Sequence, residues 1–138
     1  MTQTQVVQED VMGCAVACVA SILGVSYKRA LRLFGTSKCS TRGYYCPEIC
    51  KALRKGGLSY GWQKLSLHNK HLINIKSSII FVARSKLYRA GHYLVRLEQG
   101  YMNPWLNFPK VNPAKAGIVK RLPGKPAYVV FPHAMCKC

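Results

Sequence analysis

The stretch Gln8-Glu9-Asp10-Val11-Met12-Gly13-Cys14 sets a glutamine amide six residues before a cysteine that opens an apolar run. A thiol at the first turn of a helix lies among unpaired backbone N–H groups at the positive end of the helix dipole, and both effects favour thiolate. Gly13 lets a substrate backbone approach without a side chain in the way. The Gln8 amide and the Cys14 backbone N–H would supply two donors for the oxyanion formed when that thiolate attacks a carbonyl. A base has to come from elsewhere in the chain, and Gly91-His92-Tyr93 places a histidine at the start of a β-prone segment. Eleven residues later Asn103-Pro104 offers an amide oxygen that would accept the other imidazole N–H across a hairpin and so fix the tautomer. Singly, each has a plainer explanation: Cys14 as a small core residue, Gln8 as a solvated loop residue, His92 as a half-buried hydrogen-bonded side chain, Asn103 as a turn residue. His68 and His71 lie in a polar segment and His133 follows Pro132, settings less suited to a base.

Positioning these side chains requires helices first and strands after. Residues 1–12 read as an extended lead-in. Gly13 to Leu23 is apolar on nearly every side, which marks a buried central helix stopped by Gly24. Ser26 caps a second helix over Tyr27 to Phe34, with Ala30, Leu31 and Phe34 inward. Pro47 opens a third that runs to Lys55 and ends at Gly56-Gly57. Thereafter the pattern is strand-like: Leu58 to Leu65, Ser78 to Ala83, His92 to Leu97, a turn at Glu98-Gln99-Gly100, Tyr101 to Asn103, and Ala127 to Phe131. His68 to Ile75 is ambiguous, and Pro104, Pro109 and Pro113 break the stretch they occupy. The expected architecture is α+β, with N-terminal helices packed on a C-terminal antiparallel sheet.

At 138 residues and 49% hydrophobic composition the chain can build one core, so a single domain over 1–138 is expected rather than disorder or a two-domain enzyme. No apolar run approaches the ~20 residues a membrane crossing needs, and the polar first ten residues, with Glu9 and Asp10, do not resemble a secretory signal. A cytoplasmic protein not integral to a membrane follows as the expectation. The net charge of +17 favours encounters with polyanions, so contact with nucleic acid through the basic surface is one reading, with Tyr44, Tyr45, Tyr60 and Trp62 as stacking surfaces among the cations. Core and sheet packing is the plainer role for those aromatics.

Seven cysteines, at 14, 18, 39, 46, 50, 136 and 138, match no ordinary zinc-finger spacing, and an odd number cannot pair completely within one chain. Cys136 and Cys138 with Cys39 or His133 would make a structural zinc site; small buried hydrophobes plus a frayed tail is the simpler reading. No cofactor is expected, and no residue is assigned to a metal.

With those positions in order, the sequence resembles the papain-like cysteine peptidases, and within them the small peptidase domains that process bacteriocins with double-glycine leaders. Such domains carry a Gln five residues before a Gly-Cys pair that opens the central helix, matched by Gln8 and Gly13-Cys14. The small and apolar residues after the cysteine match Ala15 to Gly24, and a His-aromatic-apolar-Val strand matches His92-Tyr93-Leu94-Val95. Where these relatives usually have Asp-Pro, this chain has Asn103-Pro104, with Trp105 placed to shield the histidine's hydrogen bond. The resemblance spans Gln8 to about Phe131. It implies a papain-like fold, a peptide or protein substrate, and cleavage through a thioester by Cys14, His92 and Asn103, with Gln8 at the oxyanion. Transglutaminases, deamidases and acyltransferases of related fold share the thioester step. A papain-like cleft that binds peptide without chemistry, and a basic nucleic-acid binder, are the alternatives.

Overall fold

The computed structural model describes residues 5–35, 42–111 and 113–133. Cys39, Cys136 and Cys138, on which the zinc expectation rests, lie outside the described residues. The first helix, α1 (Cys14–Leu23), is buried from Cys14 through Ile22 and ends where Gly24 adopts the left-handed conformation at φ 69°. A helix this apolar on every face is stable only inside other elements. Two of these are α2 (Tyr27–Phe34), whose Ser26 hydroxyl accepts the Arg29 N–H at 3.1 Å, and α3 (Cys46–Lys55). At the start of α3 the Glu48 carboxylate reaches back to the Tyr45 N–H at 2.7 Å while Arg42 grips both of its oxygens. This carboxylate at the first turn satisfies a donor the helix leaves open and complements its dipole.

The entry into α1 is tied down by its neighbours. Gly13 N–H closes a turn onto the Asp10 carbonyl at 3.0 Å, and the Tyr27 hydroxyl at the start of α2 donates to the Asp10 carboxylate at 2.7 Å. A Cβ on Gly13 would run into that hydroxyl, so glycine is required here by close approach.

Six strands follow: β1 (Tyr60–Lys64), β2 (Ile79–Val82), β3 (His92–Arg96), β4 (Tyr101–Asn103), β5 (Gly117–Val119) and β6 (Pro126–Pro132). They form one antiparallel sheet in the order β1-β6-β2-β3-β4-β5. Alternation along the strands gives it two apolar faces. Ile79, Tyr93, Val95, Met102 and Val130 pack against the helices, with α1 laid on β3. Ile80, Val82, Leu94, Tyr101 and Val129 form a second cluster, covered in part by Leu72 and Ile73. The arrangement is the α+β fold expected, N-terminal helices on a C-terminal antiparallel sheet.

Three elements differ from the sequence expectation. The ambiguous segment His68 to Ile75 contains a 3-10 helix, Lys70–Asn74, because Leu72 and Ile73 are adjacent and insert into the second cluster together. The strand Gly117–Val119 has too short an apolar pattern to be read from sequence and exists because β4 offers it a ladder. The first strand is shorter than Leu58 to Leu65, since the Leu58 N–H is taken by the Leu53 carbonyl at the end of α3.

Gly13→Ala should lower stability by about 1 to 3 kcal/mol, the range for overpacking. Denaturant unfolding checks this, and Gly13→Ala combined with Tyr27→Phe should recover part of the loss because the obstructing hydroxyl is gone.

Candidate active site

The residues singled out for chemistry come from four places: the loop before α1, the first residue of α1, the start of β3 and the end of β4. Register brings the last two together. Val95 pairs with Met102 and Arg96 with Tyr101, which sets Asn103 across from Leu94 on the face that His92 shares, two residues along. Diagonal cross-strand neighbours are within reach of long side chains. His92 Nε2 and Asn103 Oδ1 are 2.8 Å apart, in a hydrogen bond between two buried residues.

The surroundings determine who donates. Asn103 Nδ2 donates to the Tyr88 hydroxyl at 3.1 Å, and Asn103 Oδ1 also accepts the Trp105 backbone N–H at 3.0 Å. The amide orientation is therefore fixed, Oδ1 is an acceptor, and Nε2 must carry the proton, leaving the Nδ1 lone pair free in the neutral ring. Tyr88 also lies flat on the imidazole, ring centres 4.1 Å apart and planes 3° from parallel. Its hydroxyl completes the network by donating to the Trp105 carbonyl at 3.5 Å. Trp105, the residue expected to shield this bond, acts through its backbone N–H; its ring packs edge-on against Phe108 at 4.7 Å and its indole N–H goes to the Lys110 carbonyl. Tyr88 was not legible in the sequence. It sits in Lys86-Leu87-Tyr88-Arg89, a polar connection whose one buried aromatic carries no local mark.

Cys14 lies at the first turn of α1, 9% exposed. Burial pushes its thiol up to about 11, and the backbone groups of Tyr93, Ala15 and Cys14 itself act the other way without overcoming it. The helix start was expected to favour thiolate; in the structure desolvation outweighs the helix end. Burial pushes His92 down to about 4, with the Asn103 hydrogen bond opposing. The resting pair is thus a neutral thiol and a neutral imidazole, and among the described residues no hydrogen bond joins the two. Cys18, Cys46 and Cys50 are free thiols in the core, also raised by burial.

Gln8 reaches the same place because its backbone N–H bonds the carbonyl of Pro104, the residue after Asn103, at 3.2 Å. Its amide nitrogen donates to the Asp10 and Val11 carbonyls at 2.9 and 3.0 Å, while its Oε1 is buried with no partner. Gln8 therefore forms part of the site wall with its donors turned into the loop, in contrast with the free oxyanion donor expected.

Two hollows meet at Cys14. The smaller, about 270 Å³, is lined by Gln8, Cys14, Tyr88, His92, Trp105 and Phe108. The larger, about 700 Å³, is lined by Cys14, Tyr44, Trp62, Phe81, Tyr93 and Tyr128 among others. Met12, Ala90 and Gly91 belong to both, so the two hollows adjoin at a saddle that Cys14 borders. Among the described residues no group of three His, Cys, Asp or Glu side chains is placed to hold a metal, and His133 instead meets the Ser59 hydroxyl at 3.1 Å.

No family model matches the sequence, and none of the curated proteins does. Among solved structures the fold is similar to the peptidase domain of Streptococcus ComA, a bifunctional ABC transporter involved in a quorum-sensing pathway. That likeness has a TM-score of 0.61 at 20% identity and covers 95% of this chain and 97% of that one. The chain therefore shares the overall fold of that peptidase domain.

Burial of His92 in its neutral form makes the stability of the fold depend on pH. The unfolded chain binds a proton near pH 6.5 that the folded chain refuses until about pH 4, so stability holds above that window and falls as pH drops through it. Urea unfolding should show a loss of roughly 3 kcal/mol across the window, and His92→Gln should flatten that slope.

Proposed function

We propose that the chain is a papain-like cysteine peptidase that cleaves a peptide bond through Cys14, His92 and Asn103. The observation that carries this reading is the buried His92–Asn103 hydrogen bond, whose tautomer leaves Nδ1 unprotonated in a cleft that Cys14 also lines. The likeness to a peptidase domain supports it at the level of fold.

In this reading the peptide lies across the saddle with its carbonyl over Cys14. His92 Nδ1 takes the thiol proton as sulfur bonds to the carbonyl carbon, and the tetrahedral oxyanion accepts the Cys14 backbone N–H. Gln8 Nε2 joins it by releasing one of its loop carbonyls. Imidazolium returns the proton to the leaving amine, and a thioester remains. Water then attacks the thioester, giving its proton to His92, and the thiol regains it as the acid departs. Asn103 holds the ring throughout, and Tyr88 holds Asn103. Because thiol and imidazole are both neutral at rest, proton transfer accompanies attack and no ion pair is stored beforehand.

A second reading, a cleft that binds peptide without turnover, draws on the committed Gln8 amide. Incubation with a complex peptide mixture and sequencing of new N-termini separates the two. Wild type should generate termini that Cys14→Ala and His92→Ala do not; identical sets from all three proteins, with peptide still bound, would select the second reading.

Given a cleaved peptide, Gln8→Ala should reduce kcat about 10²- to 10³-fold, as for other single oxyanion donors. Tyr88→Phe should lower kcat with little change in KM, and Tyr88→Ala more so, since the first loses the hydroxyl and the second also the stack. Iodoacetamide alkylation of Cys14 in the free protein should climb continuously with pH towards about 11, without the plateau near neutrality that a stored ion pair gives.

A further inference from the structure

The β2–β3 connection runs along the cleft, and its geometry is fixed from inside. Tyr88 is buried against His92 and Asn103, the Ser85 N–H bonds the Tyr88 carbonyl at 3.0 Å, the Tyr88 N–H bonds the Ser85 hydroxyl at 3.1 Å, and the Gly91 N–H returns to the Tyr88 carbonyl at 2.9 Å. With Tyr88 as the inward anchor, Arg84, Lys86 and Arg89 stand exposed on its two sides. Arg84 lines the larger hollow; Lys86 and Arg89 line the smaller. The three cations therefore flank the thiol on both sides of the saddle.

Their charge is not consumed within the fold. Among the described residues the two ion pairs are Arg42 with Glu48 and Lys76 with Glu98, so none of the three has an acidic partner. Arg42, also on the cleft, is neutralised by Glu48 and laid on the Tyr45 ring at 4.1 Å. Of the 4 acidic residues, Glu48 is taken by Arg42 and the Asp10 carboxylate accepts the Tyr27 hydroxyl, so against 21 Lys and Arg in the whole chain the field over the cleft stays positive, and low-dielectric walls concentrate it.

We propose that the cleft selects a peptide bearing carboxylate side chains on both sides of the bond over Cys14, held by Arg84 on one side and by Lys86 and Arg89 on the other. The peptide class rests on the peptidase reading; the preference for acid rests on the rim. A peptide is favoured over nucleic acid because few of the cleft aromatics are free for stacking, Trp62 at 43% exposure being the main exception. Tyr44 and Tyr93 are buried, with the Tyr93 hydroxyl bonded to the Tyr44 carbonyl, and Tyr45 is covered by Arg42. The saddle, moreover, is bounded by Gly91 and Ala90, a passage suited to extended backbone.

The test compares versions of one apolar peptide flanked on both sides by pairs of Glu, Gln or Lys. Fluorescence anisotropy measures their binding to Cys14→Ala protein, and cleavage by wild type is followed in parallel. The Glu version should bind about tenfold more tightly than the Gln version at low salt, as three exposed ion pairs acting together allow, with the Lys version weakest. The preference should fade near 1 M salt, where screening acts within about 3 Å. Changing Arg84, Lys86 and Arg89 together to Glu should reverse the order, and changing them together to Gln should abolish it, with melting followed by circular dichroism to confirm that each variant is folded. Equal binding of the Glu and Gln versions, or an order unchanged by the substitutions, overturns the proposal. So does a single-stranded oligonucleotide that binds more tightly than the Glu peptide and is lost with the same variant. An acidic preference in binding with no cleavage would leave the rim's role standing and remove the peptidase reading; cleavage without acidic preference would do the reverse.

Discussion

A histidine buried in a protein needs somewhere to place its N–H, and in this molecule that requirement is met by a single amide oxygen, Asn103 Oδ1 at 2.8 Å. Much of the local structure serves that bond. The β3–β4 register brings the two residues to one face, the turn after Asn103 returns the Trp105 N–H to the same oxygen, and Tyr88 takes the amide's other end while stacking on the ring. Every polar atom of the Asn103 side chain is satisfied, so neither amide nor imidazole can flip without leaving a buried group unpaired.

The thiol side of the cleft is held differently. Cys14 is placed by the start of a helix that is buried on all sides, and the turn before it is pinned by Gly13 and the Tyr27 hydroxyl. This rigid entry fixes the backbone N–H groups near the sulfur, yet the same burial keeps the thiol protonated. The contrast with Gln8 is informative. Its backbone is anchored to Pro104 while its side-chain donors are turned into the loop and its oxygen is left unpaired, so it is the least settled polar group in the site.

Charge enters as a layer outside this core. The +17 balance first points to polyanions in general, and the large number of cations hides which of them matter. The fold sorts them: Arg42 is spent on Glu48 and Tyr45, many others lie on outward helix faces and loops, and the connection anchored by Tyr88 carries its cations to the cleft. The same tyrosine thus orders the imidazole on its inner side and the basic rim on its outer side.

Local pattern was enough for the helices and for most strands. The stop at Gly24, the cap at Ser26 and the β-prone runs around Ile80 and Leu94 are properties of a few neighbouring residues, and they appear where the sequence placed them. Cys14, His92 and Asn103 were legible as an ordered set because each sits at an element boundary with its own local mark, a Gly before the Cys and the His and a Pro after the Asn, whereas Gln8 was picked out only by its distance from Cys14. The short strand Gly117–Val119 and the 3-10 turn at Lys70–Asn74 were not, since partners distant in sequence stabilise them. The charge state of the site was beyond the sequence for the same reason. A helix N-terminus lowers a thiol's pKa and burial raises it, and only the packing of sheet against helix decided that burial prevails for Cys14 and for His92. Residue type determined what chemistry Cys14 and His92 are capable of; the tertiary structure decided how much water reaches them, and hence which protonation state they hold at rest.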